Sequence, residues 1–287
     1  MITISNDEVS VSINAQGAEL CSIRTRNGDE LLWQADTAFW PRHAPVLFPI
    51  VGRLQNDTLI HQGKSYPMTQ HGFARDKQFE CIESQGSAAS FRLQQDEQSL
   101  SQYPFPFELD IHYALLGNRL MTVYTIRNQH DQELPFSIGG HPAFNWPLFS
   151  DTKAADYFIE FEQVEAEKIW QLENGLITKD LRPSPLSGKI LELTPTLFDN
   201  DALIFPDVNS SRVFFGTKAG KGIAVSYVGL PDLGIWSKPG APFVCIEPWL
   251  GHSSPQGFDG EFSDKPGVEK VAPFSERQLS YSFEILA

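Results

Sequence analysis

The sequence predicts an all-β fold of two large antiparallel sheets packed face to face, built from roughly 20 short strands. Three observations carry this. Period-two alternation is the strongest pattern in the 287 residues. With 21 Gly, 20 Pro and 12% aromatic residues, the composition suits many strands joined by tight turns. Helical stripes are nearly absent: Gln94–Gln102 and Val164–Leu172 offer a turn or two each, and neither shows an apolar face.

The strands follow in chain order. Val9, Val11 and Ile13 alternate with Ser10, Ser12 and Asn14. Phe107, Leu109, Ile111, Tyr113 and Leu115 alternate with Glu108, Asp110, His112 and Ala114. Runs at Asp156–Glu162, Arg212–Gly216, Gly222–Val228 and Pro242–Glu247 read as further strands. Leu279, Tyr281, Phe283 and Ile285 alternate with Ser280, Ser282 and Glu284. Side chains of a half-buried strand point to opposite faces in turn, which is what this spacing supplies. No linker, charge block or repeat interrupts the series, so residues 1–287 read as a single domain.

The net charge of −14 argues against nucleic acid, whose phosphates are neutralised by Lys and Arg, and against an anionic membrane surface. No apolar window is long enough to span a bilayer, and the N-terminus lacks a basic region followed by an apolar stretch. A soluble, cytoplasmic protein is expected. Cys21, Cys81 and Cys245 are too sparse for a disulfide framework or a zinc motif, and read as three buried small hydrophobes.

Four segments place titratable residues where strands and turns are usually plain: Pro49–Arg53, Gln70–Arg75, Gly139–Phe144 and Cys245–Trp249. Glu247 ends an apolar run and shares a strand face with Phe243 and Cys245. Desolvation there would raise its pKa towards that of a general base; a strand-end Glu facing solvent is the plainer reading. Pro248 confines Glu247 to an extended backbone and is expected to end the ladder. His141, fixed by Pro142 and preceded by two glycines, is a candidate acid near neutrality or a structural His in a turn. His71 precedes Gly72 and has Arg75 four residues on. His71, His141 and Glu247 could imitate a two-His, one-carboxylate metal site, but no His pair at ligand spacing supports it. No nucleophile elbow or phosphate-binding glycine loop is present.

Taken in order, these segments resemble the aldose 1-epimerase (galactose mutarotase-like) family, within it the LacX-like branch. The resemblance runs from Gly17-Ala18-Glu19-Leu20 through Leu47–Arg53, Gln70–Arg75, Gly139–Phe144, Asn200–Phe205 and Gly234–Pro239 to Ile246–Trp249. It implies a β-supersandwich with the sugar in a cleft across one sheet, His141 and Glu247 as the catalytic pair, and Arg53 and His71 as sugar-holding groups. The family's hydroxyl-binding Asp corresponds to Asp201, with Asp199 two residues away and expected on the same strand face. Trp236 or Trp249 would stack on the sugar. The implied reaction is anomer interconversion of an aldohexose, with Glu247 as base and His141 as acid on opposite sides of the O–C–O unit, without cofactor or metal. A phosphorylated-sugar relative resembles the chain at His71–Arg75, so Arg75, helped by Arg42 or Lys238, would anchor a 6-phosphate in a rival reading. The other rivals are a non-catalytic carbohydrate-binding module or sugar sensor on the same fold, a metal-dependent sugar isomerase and a glycosidase-associated sandwich.

Overall fold

The architecture follows from the alternation. In the computed structural model, which describes residues 1–287, two large antiparallel sheets face each other. The larger has nine strands, in the order Ile190–Glu192, Tyr157–Phe161, Arg212–Thr217, Gly222–Val228, Ser275–Leu286, Arg119–Asn128, Glu108–Leu116, Ala88–Gln94 and Glu80–Gln85. The second runs Leu176–Pro183, Lys168–Glu173, Leu203–Phe205, Asp232–Trp236, Phe243–Leu250, Ile138–Gly140 and Val46–Leu47, with Ala143–Asn145 also paired to Phe243–Leu250. A three-stranded sheet of Ile2–Ser5, Val9–Asn14 and Glu19–Thr25 and two small two-stranded ladders complete the β structure.

Burial of the inward faces makes the core, a cluster of 62 buried residues reaching from Ile4 to Ile285. The sheets meet through aromatic contacts: the Phe144 and Phe283 rings lie 5.0 Å apart edge to face, and the Tyr124 hydroxyl donates to the Gly139 carbonyl at 3.4 Å. Edge-to-face ring pairs are the favoured arrangement of two quadrupoles.

The strand Phe243–Leu250 is buried on both faces. Val244 and Ile246 belong to the core between the sheets, whereas Phe243, Cys245 and Trp249 join two smaller clusters on the opposite face. That second face is the floor of a cleft.

Three expectations need correction. Pro248 does not end its ladder: the strand continues to Leu250, with Pro248 opposite Leu233. On its other side Pro248 falls between two short partners, Ala143–Asn145 pairing with 243–245 and Ile138–Gly139 pairing with 249–250, so its missing N–H interrupts nothing. Val164–Leu172 forms no helix; its second half joins the Lys168–Glu173 strand, while Gln94–Gln102 does hold one helical turn, Glu97–Leu100, capped by Asp96. Cys81 is exposed, on a strand at the edge of the nine-stranded sheet whose six residues all face solvent.

Candidate active site

The cleft over the smaller large sheet has a volume of about 290 Å³, at the small end of ligand pockets, which run about 300–1,000 Å³. Its floor is set by strand register. Glu247 and Trp249 project from one strand, Gly234 and Trp236 from its neighbour, with Gly234 opposite Glu247 and Trp236 opposite Cys245. The Trp249 indole lies across Gly139 and Gly234: a Cβ on either would stand 2.4 or 2.5 Å from a ring atom. Glycine at both positions is therefore what lets the ring lie flat.

Glu247 is 1% exposed and His141 8%, and Nε2 of His141 stands 3.2 Å from Oε2 of Glu247. The two face each other without an aligned hydrogen bond, since Glu247 Oε2 is buried without a partner. Burial raises the Glu247 pKa well above the carboxylate range, Asp201 adding in the same sense and the Trp249 indole N–H opposing. Burial lowers His141 to about 3 against the pull of its own backbone carbonyl, and the positive charges of Arg75 and Arg42 lower it further. Burial thus disfavours the charged form of both groups. This corrects the expectation of an imidazole poised near neutrality. Trp40 stacks on the His141 ring at 4.8 Å and 25° and holds its plane.

His71 forms the adjoining wall, its ring edge-on to His141 at 5.5 Å. Its Nδ1 accepts from the Gly52 backbone N–H at 3.2 Å, which leaves the hydrogen on Nε2. Desolvation, reinforced by His141, Arg75 and Arg42, holds its pKa well below 6.5. Gly52 takes a φ of +71°, and a Cβ there would meet Ser253 Oγ at 1.9 Å. Arg75, from a short 3-10 turn, donates to the Gln70 carbonyl at 2.6 Å, and its buried Nε makes no hydrogen bond but lies 3.8 Å from Asp76 Oδ2.

The sequence pattern of the family described as Aldose 1-epimerase matches residues 1–261. The chain belongs to the aldose 1-epimerase family. It is 35% identical to the plasmid-encoded protein LacX of Lactococcus lactis over 296 residues, covering 99% of each chain. Its fold is similar to that of a galactose mutarotase related enzyme from Lactobacillus acidophilus, with TM-score 0.92, 33% identity and 99% and 97% of the two chains covered. A galactose mutarotase-like protein from Lactobacillus casei gives TM-score 0.93 at 31% identity over 99% of both.

In this epimerase the cleft gathers His71, Arg75, His141, Asp201, Trp236, Glu247 and Trp249. It does not gather Arg53, whose guanidinium grips Asp57 through Nε at 2.7 Å and Nη2 at 2.6 Å and donates to the Asn174 carbonyl. The Pro49–Arg53 segment reaches the site through the Gly52 N–H instead. Asp199 and Asp201 share no strand face, because both precede the strand that begins at Leu203. Only Asp201 lines the cleft; it has a φ of 70°, and its Oδ1 accepts the Ala202 N–H at 2.7 Å.

Sequence reasoning missed Trp40, Leu172, Gly175 and Ser253, all cleft-lining. Trp40 carried a signal, an aromatic pair with Phe39 just ahead of Pro41 in a segment without alternation; Gly175 and Ser253 carried none. The donor atoms of His141, Cys245 and Glu247 lie within 4.8 Å of one another, as do those of Glu19, Cys21 and His43. These are the sets with metal-ligating chemistry, and His71 is in neither. No helix is long and apolar enough to cross a membrane.

Proposed function

We propose that this chain interconverts the α and β anomers of an unphosphorylated aldohexose by general acid–base catalysis, with Glu247 and His141 moving the protons. The observation that carries the reading is their contact, 3.2 Å apart and out of solvent on the cleft floor. Anomer exchange opens a hemiacetal, turns the C1–C2 bond and closes the ring on the other face of the carbonyl. The two oxygens that exchange protons share one carbon, so two groups standing side by side can each reach one. Passing the buried proton from Glu247 to His141 Nε2 gives a carboxylate and an imidazolium. Glu247 then accepts the C1 hydroxyl proton while His141 donates to the ring oxygen, and closure reverses both. One proton stays on the pair throughout, and neither a metal nor a redox cofactor is required by this chemistry.

The Nε2–H of His71 and the guanidinium of Arg75 orient the ring and stabilise negative charge as it develops. Asp201 accepts from sugar hydroxyls, and the Trp236 and Trp249 rings offer apolar faces to the sugar's C–H groups. The cation count favours an unphosphorylated sugar. A phosphate dianion is usually held by several converging cations, and Arg75 is the one Lys or Arg on the cleft wall. Arg42 is paired with Asp76 at 2.9 Å, and Lys238 donates to the Phe39 carbonyl.

NMR exchange between anomers of glucose, galactose and their 6-phosphates tests the reading. The free hexoses are expected to exchange faster with the protein present. Glu247→Gln and His141→Asn should each lower turnover by ~10²–10⁴ while keeping the fold, and Arg75→Ala should mainly raise KM. Two folded variants with native rates would remove the assignment. A tenfold preference for 6-phosphates that Arg75→Ala abolishes would make Arg75 a phosphate anchor.

A further inference from the structure

We propose that His141, Cys245 and Glu247 together form a binding site for a soft divalent cation, zinc above all, and that its occupation shuts off the cleft. The binding stands on geometry alone; its inhibitory consequence rests on the acid–base reading above.

Strand alternation puts Cys245 and Glu247 on one face two residues apart, and the Gly139–Phe144 segment brings His141 against them. All three are buried, and one donor atom from each lies within 4.8 Å of the other two. Zinc binds nitrogen and oxygen at ~2.0–2.2 Å in a tetrahedron, which sets two such ligands ~3.3 Å apart. Nε2 of His141 and Oε2 of Glu247 already stand 3.2 Å apart. The Cys245 sulfur lies within 4.8 Å of both and completes the set by moving towards them. Glu247 Oε2 has no hydrogen-bond partner to give up. Imidazole, thiolate and carboxylate are the donor mix that favours zinc over magnesium or calcium. On binding, the Cys245 thiol proton and any proton on the Glu247 carboxyl leave to solvent.

The other donor set is already spent. Glu19 Oε1 accepts the backbone N–H groups of His43 and Ala44 at 2.9 and 3.0 Å, and the Cys21 thiol donates to the Glu19 carbonyl. A cation at His141, Cys245 and Glu247 would occupy the lone pairs that proton transfer uses. Zinc and sugar therefore compete for one floor.

The test uses the full chain, stripped with EDTA and titrated with Co²⁺, followed through the thiolate-to-cobalt charge-transfer absorption. One equivalent is expected to bind, with Zn²⁺ displacing it. Cys245→Ser and Cys245→Ala should each abolish the thiolate band and weaken binding at least about tenfold, since loss of even an outer-shell partner costs ~10–100-fold. Cys21→Ser and Cys81→Ser should keep the band. In the exchange assay Zn²⁺ should inhibit the native protein, EDTA should reverse it, excess sugar should protect, and Cys245→Ala should turn over normally and resist zinc. No band, or a band lost with Cys21 or Cys81 instead, overturns the site. Zinc that raises turnover overturns the inhibition. Cobalt bound through Cys245 in a protein that exchanges no sugar supports the site and overturns the mutarotase reading.

Discussion

At Glu247 and His141 burial pulls two proton affinities apart, the carboxyl upward and the imidazole down to about 3. The consequence is a pH–rate profile unlike that of a free histidine. kcat/KM is expected to stay flat through pH 6.5, because the second proton binds only in stronger acid. An acid limb centred near 6.5 would show a solvated imidazole and remove His141 from the buried pair. The same burial leaves a mark on stability. Burial makes the Glu247 carboxyl hold its proton more tightly in the folded chain than in the unfolded one, whose Glu ionises above about pH 4.3, so this group's contribution to stability falls as pH rises past that value. Gln has nothing to ionise. Glu247→Gln is therefore expected to melt above the native protein at pH 7 and level with it near pH 4, by calorimetry, while its turnover collapses. An equal or lower melting temperature at pH 7 would mean that Glu247 ionises freely.

The strand Phe243–Leu250 carries core on one face and the cleft floor on the other, and its neighbours are shaped to suit. Gly234→Ala would place a methyl group 2.5 Å from the Trp249 ring and force the indole to tilt. Overpacking of this kind costs about 1–3 kcal/mol, so a lower urea midpoint and a higher KM are expected together. An unchanged KM would show that the sugar does not rest on Trp249. Alternation made this strand readable from the sequence, including which face Glu247 and Cys245 share, and the Gly222–Val228 strand was legible to the residue. Through-space facts were not. The gap that tolerates Pro248 depends on where two other strands begin and end. Arg53 looked like a ligand because its partners Asp57 and Asn174 are assigned only by the fold. The lowered pKa of His141 comes first from burial by the fold and then from Arg75 and Arg42, which come from separate segments.

The core cluster draws on both large sheets and on the N-terminal strands alike, and we read residues 1–287 as one cooperative unit. Trp fluorescence and far-UV circular dichroism are expected to give superimposable urea transitions, as two-state unfolding requires; two separated midpoints would divide the chain. Across this unit the pieces of the cleft have different origins. Glu247 projects from a ladder, and His141 is pinned between two short strands that pair with the same ladder. Arg75, Gly175 and Asp201 arrive on turns. A ladder cannot slip by one residue without turning every side chain to the other face, whereas a turn can change length or sequence and leave the register alone. The rim of the cleft can thus be rebuilt turn by turn while the ladder keeps Glu247 and His141 in each other's company.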